Sequence, residues 1–509
     1  MRYFRPIDGL IANTEQAGLG RQDLYDIVVI GGGPAGLVTA AGSSGLGAKV
    51  ALIERDRLGG DCLWTGCVPS KALIASARLA KHFREAEAFG LPAVTVGLPD
   101  YDVMESVRNI RARIQVHDDP ERFRAMGVNV VEGSARFVTS HEVEVGDQRI
   151  RGRRFLIATG SRPAVPPIEG LAEAGYFTHA EAFDRDTIPA TLAVIGGGPI
   201  GVELAQAFQR LGSDVTIIET LDRIMAREEP ELADHLTKQL KQEGIRILTG
   251  RVATRVDRRG TQRSITIKTA NPKLADADVG SQKTEILEVD EILVATGRLP
   301  NTEGLGLETV GIKTENGWLT VDSKLRTSEK HVFGAGDVTG RFLFTHVADH
   351  QARTVVQNAL FPVRTNIKYD VIPWCTFTDP ELAHVGMTEH EARDQYGSEV
   401  SIHLYDLADL DRVIVDRAPV GCVKIVTRRG GRILGGHILG PNAGTMISEI
   451  ALAMEAGVRL GSISSLVHPY PTMSEGVRRT ADAYRRSQLT GWKKSLLEIA
   501  LRVGRVWPA

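Results

Sequence analysis

Residues 25–54, YDIVVIGGGPAGLVTAAGSSGLGAKVALIE, read as strand, glycine-rich turn, helix and second strand. The apolar run from Ile27 to Ile30 suits a strand buried on both faces. Gly31, Gly33 and Gly36 then form G-x-G-x-x-G at the start of the helix. The first glycine permits a tight turn, the second lets backbone N–H groups approach a pyrophosphate, and the third allows close helix–strand packing. The positive N-terminus of the helix faces the phosphates. Glu54 ends the second strand where a ribose hydroxyl is expected. The glycines alone suit many αβ turns; strand, helix and acid together specify a dinucleotide unit.

A second copy, ATLAVIGGGPIGVELAQAFQRLGSDVTIIE, runs from Ala190 to Glu219. It repeats the constellation with Gly196, Gly198, Gly201 and Glu219. Two fingerprints imply two dinucleotides, as when a flavin and a nicotinamide must meet. A carboxylate at 219 accepts bonds from a free 2′-hydroxyl and repels a 2′-phosphate, so NADH is favoured over NADPH; Arg223 and Arg227 nearby are the counter-argument. Two further segments rhyme: RFLIATGSRP from Arg154 and EILVATGRLPN from Glu291, each a short strand ending in Ala-Thr-Gly.

The chain has 509 residues, which suggests about three domains at roughly 150 residues each. Its net charge of −2 gives no general pull toward nucleic acid. It has no apolar run of about 18 residues, so no transmembrane helix is expected. The first residues lack a secretory apolar core, and a cytoplasmic location is expected. Only four cysteines occur, too few for a disulfide scaffold at this size.

Two of them stand close together in RLGGDCLWTGCVPSK, as Cys62 and Cys67. Metal ligation and a structural disulfide are alternatives. No second Cys or His pair has zinc spacing, so no metal site is expected. A redox dithiol beside a flavin suits the position best. About one helical turn brings the two sulfurs together with slight distortion, and Lys71 lies one turn beyond Cys67.

These motifs, with HVFGAGDV at 331–338, resemble the flavoprotein pyridine nucleotide–disulfide oxidoreductases, which include glutathione reductase, dihydrolipoamide dehydrogenase and mercuric reductase. The resemblance runs from about Tyr25 to Arg486. It implies an α/β fold with two Rossmann-like dinucleotide-binding domains, the FAD domain split by the NAD(P) domain, and a C-terminal α+β dimerisation domain. The expected limits are an N-terminal extension (1–24), an FAD domain (25–165 and 290–368), an NAD(P) domain (166–289), a dimerisation domain (369–486) and an amphipathic tail (487–509). The polar stretch near 271–285 is expected to be a surface hairpin loop.

By position, the resemblance makes Cys67 the flavin-facing thiol and Cys62 the interchange thiol. Lys71 matches a lysine near the flavin, Glu203 its acidic partner, and Asp337 the aspartate on the flavin ribityl chain. Gly60, Thr159, Gly160 and Gly297 join the cofactor-binding set. The expected cofactors are FAD and NADH or NADPH, and the expected partners are a second copy of the chain and a small-molecule electron acceptor.

Disulfide-reducing members carry HPTxxE near the C-terminus, where this chain has HPYPTMSE, His468 to Glu475. Counting back from Glu475, Tyr470 takes the histidine's place. With an unperturbed pKa near 10, tyrosine is a poor base. It can still donate a hydrogen bond, or it can simply pack at the dimer interface. His468 lies two residues earlier. A tyrosine here resembles mercuric reductase, whose C-terminal cysteine pair this chain lacks. Cys375 and Cys422 fall in expected strands and read as core residues.

The leading expectation is therefore a mercuric-reductase-like dithiol oxidoreductase acting on a disulfide, metal or metal–thiolate. The alternatives are a flavin-level quinone reductase, a dihydrolipoamide dehydrogenase, and a non-enzymatic flavin and NADH sensor. The tail adds a separate question. Trp492, Leu496, Ile499, Val503 and Trp507 share one helical stripe, with Lys493, Lys494, Arg502 and Arg505 outside it. Such a helix packs on its own domain or a partner subunit, or makes weak contact with a membrane surface.

Overall fold

The computed structural model describes residues 24–94, 102–270, 284–418 and 421–506. The N-terminal extension up to residue 23, most of the expected loop (271–283) and Trp507 lie outside the described residues. The strands flanking that loop, Gln262–Thr269 and Glu285–Val289, pair antiparallel.

The first nucleotide unit is a five-stranded parallel sheet. Its order is Val332–Gly334, Phe155–Ile157, Ile27–Ile30, Val50–Glu54, Val128–Glu132. Ile27, Val28 and Val29 are wholly buried, as a strand covered on both faces requires. Helix α1 (Pro34–Gly45) opens from the glycine turn with proline in its first turn, where no N–H is needed. Next come α2 (Gly60–Trp64) and α3 (Cys67–Arg84).

The second unit repeats the plan with four parallel strands, ordered Arg246–Leu248, Asp214–Ile218, Thr191–Ile195, Glu291–Val294. Helix α4 (Pro199–Arg210) follows its glycine turn. Here the expected boundary at 290 is corrected. Glu291–Val294 is a strand of the second sheet, and the chain returns to the first unit only beyond it. There Arg298–Pro300 pairs antiparallel with Ser161–Pro163, joining the two crossing segments. The reason is local. Each Ala-Thr-Gly strand pairs with its own glycine-turn strand: Ala158 N donates to Ile30 O and Ala295 N to Ile195 O, each at 2.8 Å.

Helix α5 (Thr345–Leu360) packs on α1. The C-terminal domain is a five-stranded antiparallel sheet, ordered Pro373–Thr376, Glu381–Gly386, Arg432–Gly440, Cys422–Arg428, Ser401–Asp406. Its core includes Ile425, Ile438, Ile447 and Ile450. Helix α6 (Gly491–Val506) ends the described chain.

Candidate active site

The glycines of the two turns divide into two kinds. Gly31 has φ of 109°, and a Cβ there would lie 2.3 Å from the Ala158 carbonyl oxygen. A Cβ on Gly36 would lie 1.8 Å from the Gly31 oxygen. Gly196 and Gly201 repeat these clashes at 2.4 and 2.1 Å. These four positions are closed by the protein's own packing. Gly33 and Gly198 differ: their φ values of −81° and −80° suit any residue. A Cβ on Gly33 would meet only Gly60 Cα, at 3.8 Å, and one on Gly198 would meet nothing within 4 Å. Glycine there serves no internal packing. It leaves space over the first N–H groups of α1 and α4, the kind of space a pyrophosphate needs. Both turns therefore fit a dinucleotide.

Both acids are anchored to these turns. Glu54 accepts from Gly32 N at 2.5 Å and Asp56 N at 2.9 Å. Glu219 accepts from Gly197 N at 2.6 Å and Leu221 N at 2.8 Å. A carboxylate has further lone pairs for a ribose hydroxyl. Gly60 brings the dithiol loop against the first turn, since a Cβ on it would lie 2.6 Å from Gly33 Cα.

Cys62 and Cys67 do not share one helical turn. The helix breaks at Thr65–Gly66, and a Cβ on Gly66 would fall 2.9 Å from the Asp61 oxygen. Cys67 thereby becomes the first residue of α3, where the helix dipole favours a thiolate. Both cysteines are free thiols. Cys67 Sγ lies 3.6 Å from Oγ1 of Thr345, the first residue of α5. One turn along α3, Lys71 Nζ meets Glu203 Oε2 at 2.7 Å. The other Glu203 oxygen accepts the Phe377 N–H at 2.7 Å, and Lys71 stands 4.6 Å from the Phe377 ring centre.

The hydrogen bond from Cys62 is the main force lowering the pKa of Cys67, to about 6; Thr345 and the Lys71 charge add to it, while burial and Glu203 oppose it. The same bond, with burial, pushes Cys62 far up. The pair thus loses its first proton at Cys67 and keeps the second at Cys62. Iodoacetamide should alkylate Cys67 of the reduced chain with a midpoint near pH 6, the rate falling as pH drops below it. Lys71→Met should move that midpoint upward; an unmoved midpoint would exclude the lysine from thiolate stabilisation.

Helix α4 ties the second nucleotide turn to the dithiol. Glu203, Gln206 and Arg210 fall on one face by their spacing. Gln206 Nε2 donates to the Asp379 carbonyl and its Oε1 accepts from Asp379 N, both at 2.8 Å. Arg210, 3% exposed, meets Glu243 at 2.7 Å and Asp379 at 2.8 Å. One helix therefore starts at the second glycine turn, carries the partner of Lys71, and is bolted to the C-terminal domain.

A second cluster gathers on Arg298. It donates to Ser161 Oγ at 2.7 Å, pairs with Asp61 at 2.7 Å and meets His179 at 2.8 Å. Burial works to raise the pKa of Asp61, but the His179 hydrogen bond and the Arg298 charge hold it well below the carboxylate range. Ser161 donates to Asp337 at 2.7 Å, and burial pushes the Asp337 pKa up. Thr159 Oγ1 donates to the Asn301 carbonyl at 2.6 Å. Gly160 (φ 69°) and Gly297 (φ 145°) each open onto free space.

The residues of the C-terminal motif make their contacts within their own domain. Tyr470, 68% exposed, donates to Asp411 at 2.6 Å, which raises its pKa and keeps it a donor. Glu475 is buried and paired with Arg478 at 2.8 Å. His468 is taken by Glu449 at 3.0 Å. Cys375 is half-buried rather than core, and Cys422 is buried; burial pushes both thiols up, Cys422 to about 12. Among the described residues, no group of His, Cys, Asp and Glu forms a metal site.

Sequence reasoning missed Thr345, Phe377, Asp379, Arg298 and His179. Asp61 stood inside the cysteine motif without a role, and its charge beside Cys62 was the one available signal.

The sequence matches the family described as pyridine nucleotide-disulphide oxidoreductase over residues 25–352, and that family's dimerisation domain over 372–481. It is 33% identical to a mercuric reductase of Staphylococcus aureus, over 90% of this chain and 82% of the relative. It is 34% identical to a dihydrolipoyl dehydrogenase of Thermus scotoductus, over 91% of this chain and 98% of the relative. Among solved structures, it resembles the HOCl-induced flavoprotein disulfide reductase RclA of Escherichia coli, with TM-score 0.79 and 27% identity, over 90% of this chain and 99% of that one.

Proposed function

The chain belongs to the pyridine nucleotide-disulphide oxidoreductases, a class of FAD-dependent enzymes, and on that premise we propose that it is a homodimer that oxidises NADH and passes electrons through Cys67 and Cys62 to a small-molecule disulfide, metal ion or metal–thiolate. The observation that carries this reading is the placing of Cys67, which opens α3 within reach of the Thr345 hydroxyl and one turn before the Lys71–Glu203 pair.

Bound FAD supplies the two-electron carrier between nicotinamide and dithiol. The Gly31–Gly36 turn holds its pyrophosphate, Glu54 its ribose and Asp337 its ribityl chain. The Gly196–Gly201 turn holds the nicotinamide dinucleotide, and the anchored Glu219 carboxylate favours the free 2′-hydroxyl of NADH. Lys71, fixed by Glu203, keeps positive charge beside Cys67. With a disulfide acceptor, one sulfur–sulfur bond forms between Cys62 and Cys67 while the acceptor's bond breaks to two thiols. NADH and a proton then restore the dithiol.

The named mercuric reductases among its relatives support a metal or metal–thiolate acceptor. Few cysteines, all free, suit a reducing cytoplasmic compartment.

Turnover of Cys62→Ser on Hg(II), small disulfides and soluble quinones tests the reading. Disulfide and metal turnover should vanish while quinone turnover remains; retained disulfide turnover would sink it. A separate check addresses the cradles. Gly33→Val should yield a colourless chain without FAD, whereas Gly198→Val should stay yellow and no longer be bleached by NADH. Equal FAD content in the two variants would contradict the assignment of the turns.

A further inference from the structure

We propose that helix α6, Gly491–Val506, is a docking surface for anionic lipid, holding the enzyme against a membrane face. The inference goes beyond the redox reading and holds for any acceptor.

The helix leaves its apolar side uncovered by its own chain. Trp492 is 65% exposed, Leu496 54%, Ile499 56% and Val503 51%. At 3.6 residues per turn these four fall on one stripe. Leu497 and Leu501, 51% and 62% exposed, lie away from this stripe, toward the opposite side of the helix. A stripe of this length left open on a folded chain marks an interaction surface.

Charge identifies what covers it. The helix carries Lys493, Lys494, Arg502 and Arg505 against the single acid Glu498, in a chain whose net charge is −2. Arg485 and Arg486, exposed at the end of the preceding helix, extend the same positive run. Lys493 and Arg502 lie about a quarter turn to either side of the stripe centre. Cations on both flanks of an apolar stripe match a lipid surface: the apolar side chains enter the acyl boundary, the long basic side chains reach up to phosphate, and tryptophan takes the interface. A seam against another protein would not need positive charge on both sides. No helix among the described residues is long and apolar enough to cross a membrane, so α6 lies on the surface.

The test is flotation of the full-length holoenzyme with vesicles of phosphatidylglycerol and phosphatidylcholine, or of phosphatidylcholine alone. The bound fraction should be roughly tenfold or more higher on the anionic vesicles and should fall with added salt. Deleting residues 491–509 should abolish binding while FAD content, sedimentation as a dimer and disulfide turnover stay unchanged. Leu496→Ser with Ile499→Ser should weaken it with the chain length intact. Equal binding to both vesicles, binding that survives the deletion, or no binding at all would overturn the proposal. So would conversion of the truncated chain to a monomer, which would make α6 a subunit seam.

Discussion

Replacing Cys67 with serine should leave a yellow, folded enzyme whose disulfide turnover is lower by several orders of magnitude. The environment at 67 is built for an anion: the α3 N-terminus, the Thr345 hydroxyl, the Lys71 charge and the hydrogen bond from Cys62 all favour one. Serine cannot ionise there, so the surroundings have nothing to stabilise. Cys62 alone can attack a disulfide once, but no neighbouring thiol resolves the product. The variant should therefore accumulate one mixed disulfide at Cys62, visible by mass, and stop. Continued turnover without that adduct would show that electrons leave by another route.

Arg210→Ala should destabilise the chain by about 3–5 kcal/mol, because it strands buried carboxylates of Glu243 and Asp379. Burial alone would lower the Arg210 pKa, but the two acids more than offset this and raise it. Urea unfolding followed by tryptophan fluorescence measures the loss. Arg210→Lys should fall between, since an ammonium cannot reproduce the fork that meets both acids. Arg255 provides the contrast. It also contacts two acids, Asp257 and Glu169, but in open solvent, and Arg255→Ala should leave the midpoint unmoved. If Arg210→Ala were equally silent, the clamp between α4 and the C-terminal domain would have no energetic weight.

What was legible in the sequence follows from distance along the chain. Glycine turns, their acids and the cysteine pair declare themselves because each works within about thirty residues. The long-range pairs do not. Thr345 meets Cys67 across 278 positions, and no spacing rule links a threonine at a helix start to a thiol so far away. Phe377 contributes a backbone N–H to Glu203, a role that any non-proline residue can fill, so its side chain gives no sign. The strand Glu291–Val294 is legible in its own residues, but its sheet is not, because pairing is a property of the partner strand. Between the cysteines the helix breaks fully at Thr65–Gly66 rather than distorting slightly, and Gly66 is the local sign of it. At Tyr470 the register was readable and the partner was not: Asp411 lies 59 residues upstream.

An anaerobic titration of the oxidised holoenzyme with NADH asks the central question directly. If Cys62 and Cys67 carry the electrons, the enzyme takes up two equivalents per chain, one more than FAD alone accepts. A long-wavelength thiolate–flavin absorption then appears with the first equivalent, and the band fades as the pH is lowered through about 6. Uptake of a single equivalent, with no such band and the cysteine pair still oxidised by mass, would contradict a catalytic dithiol.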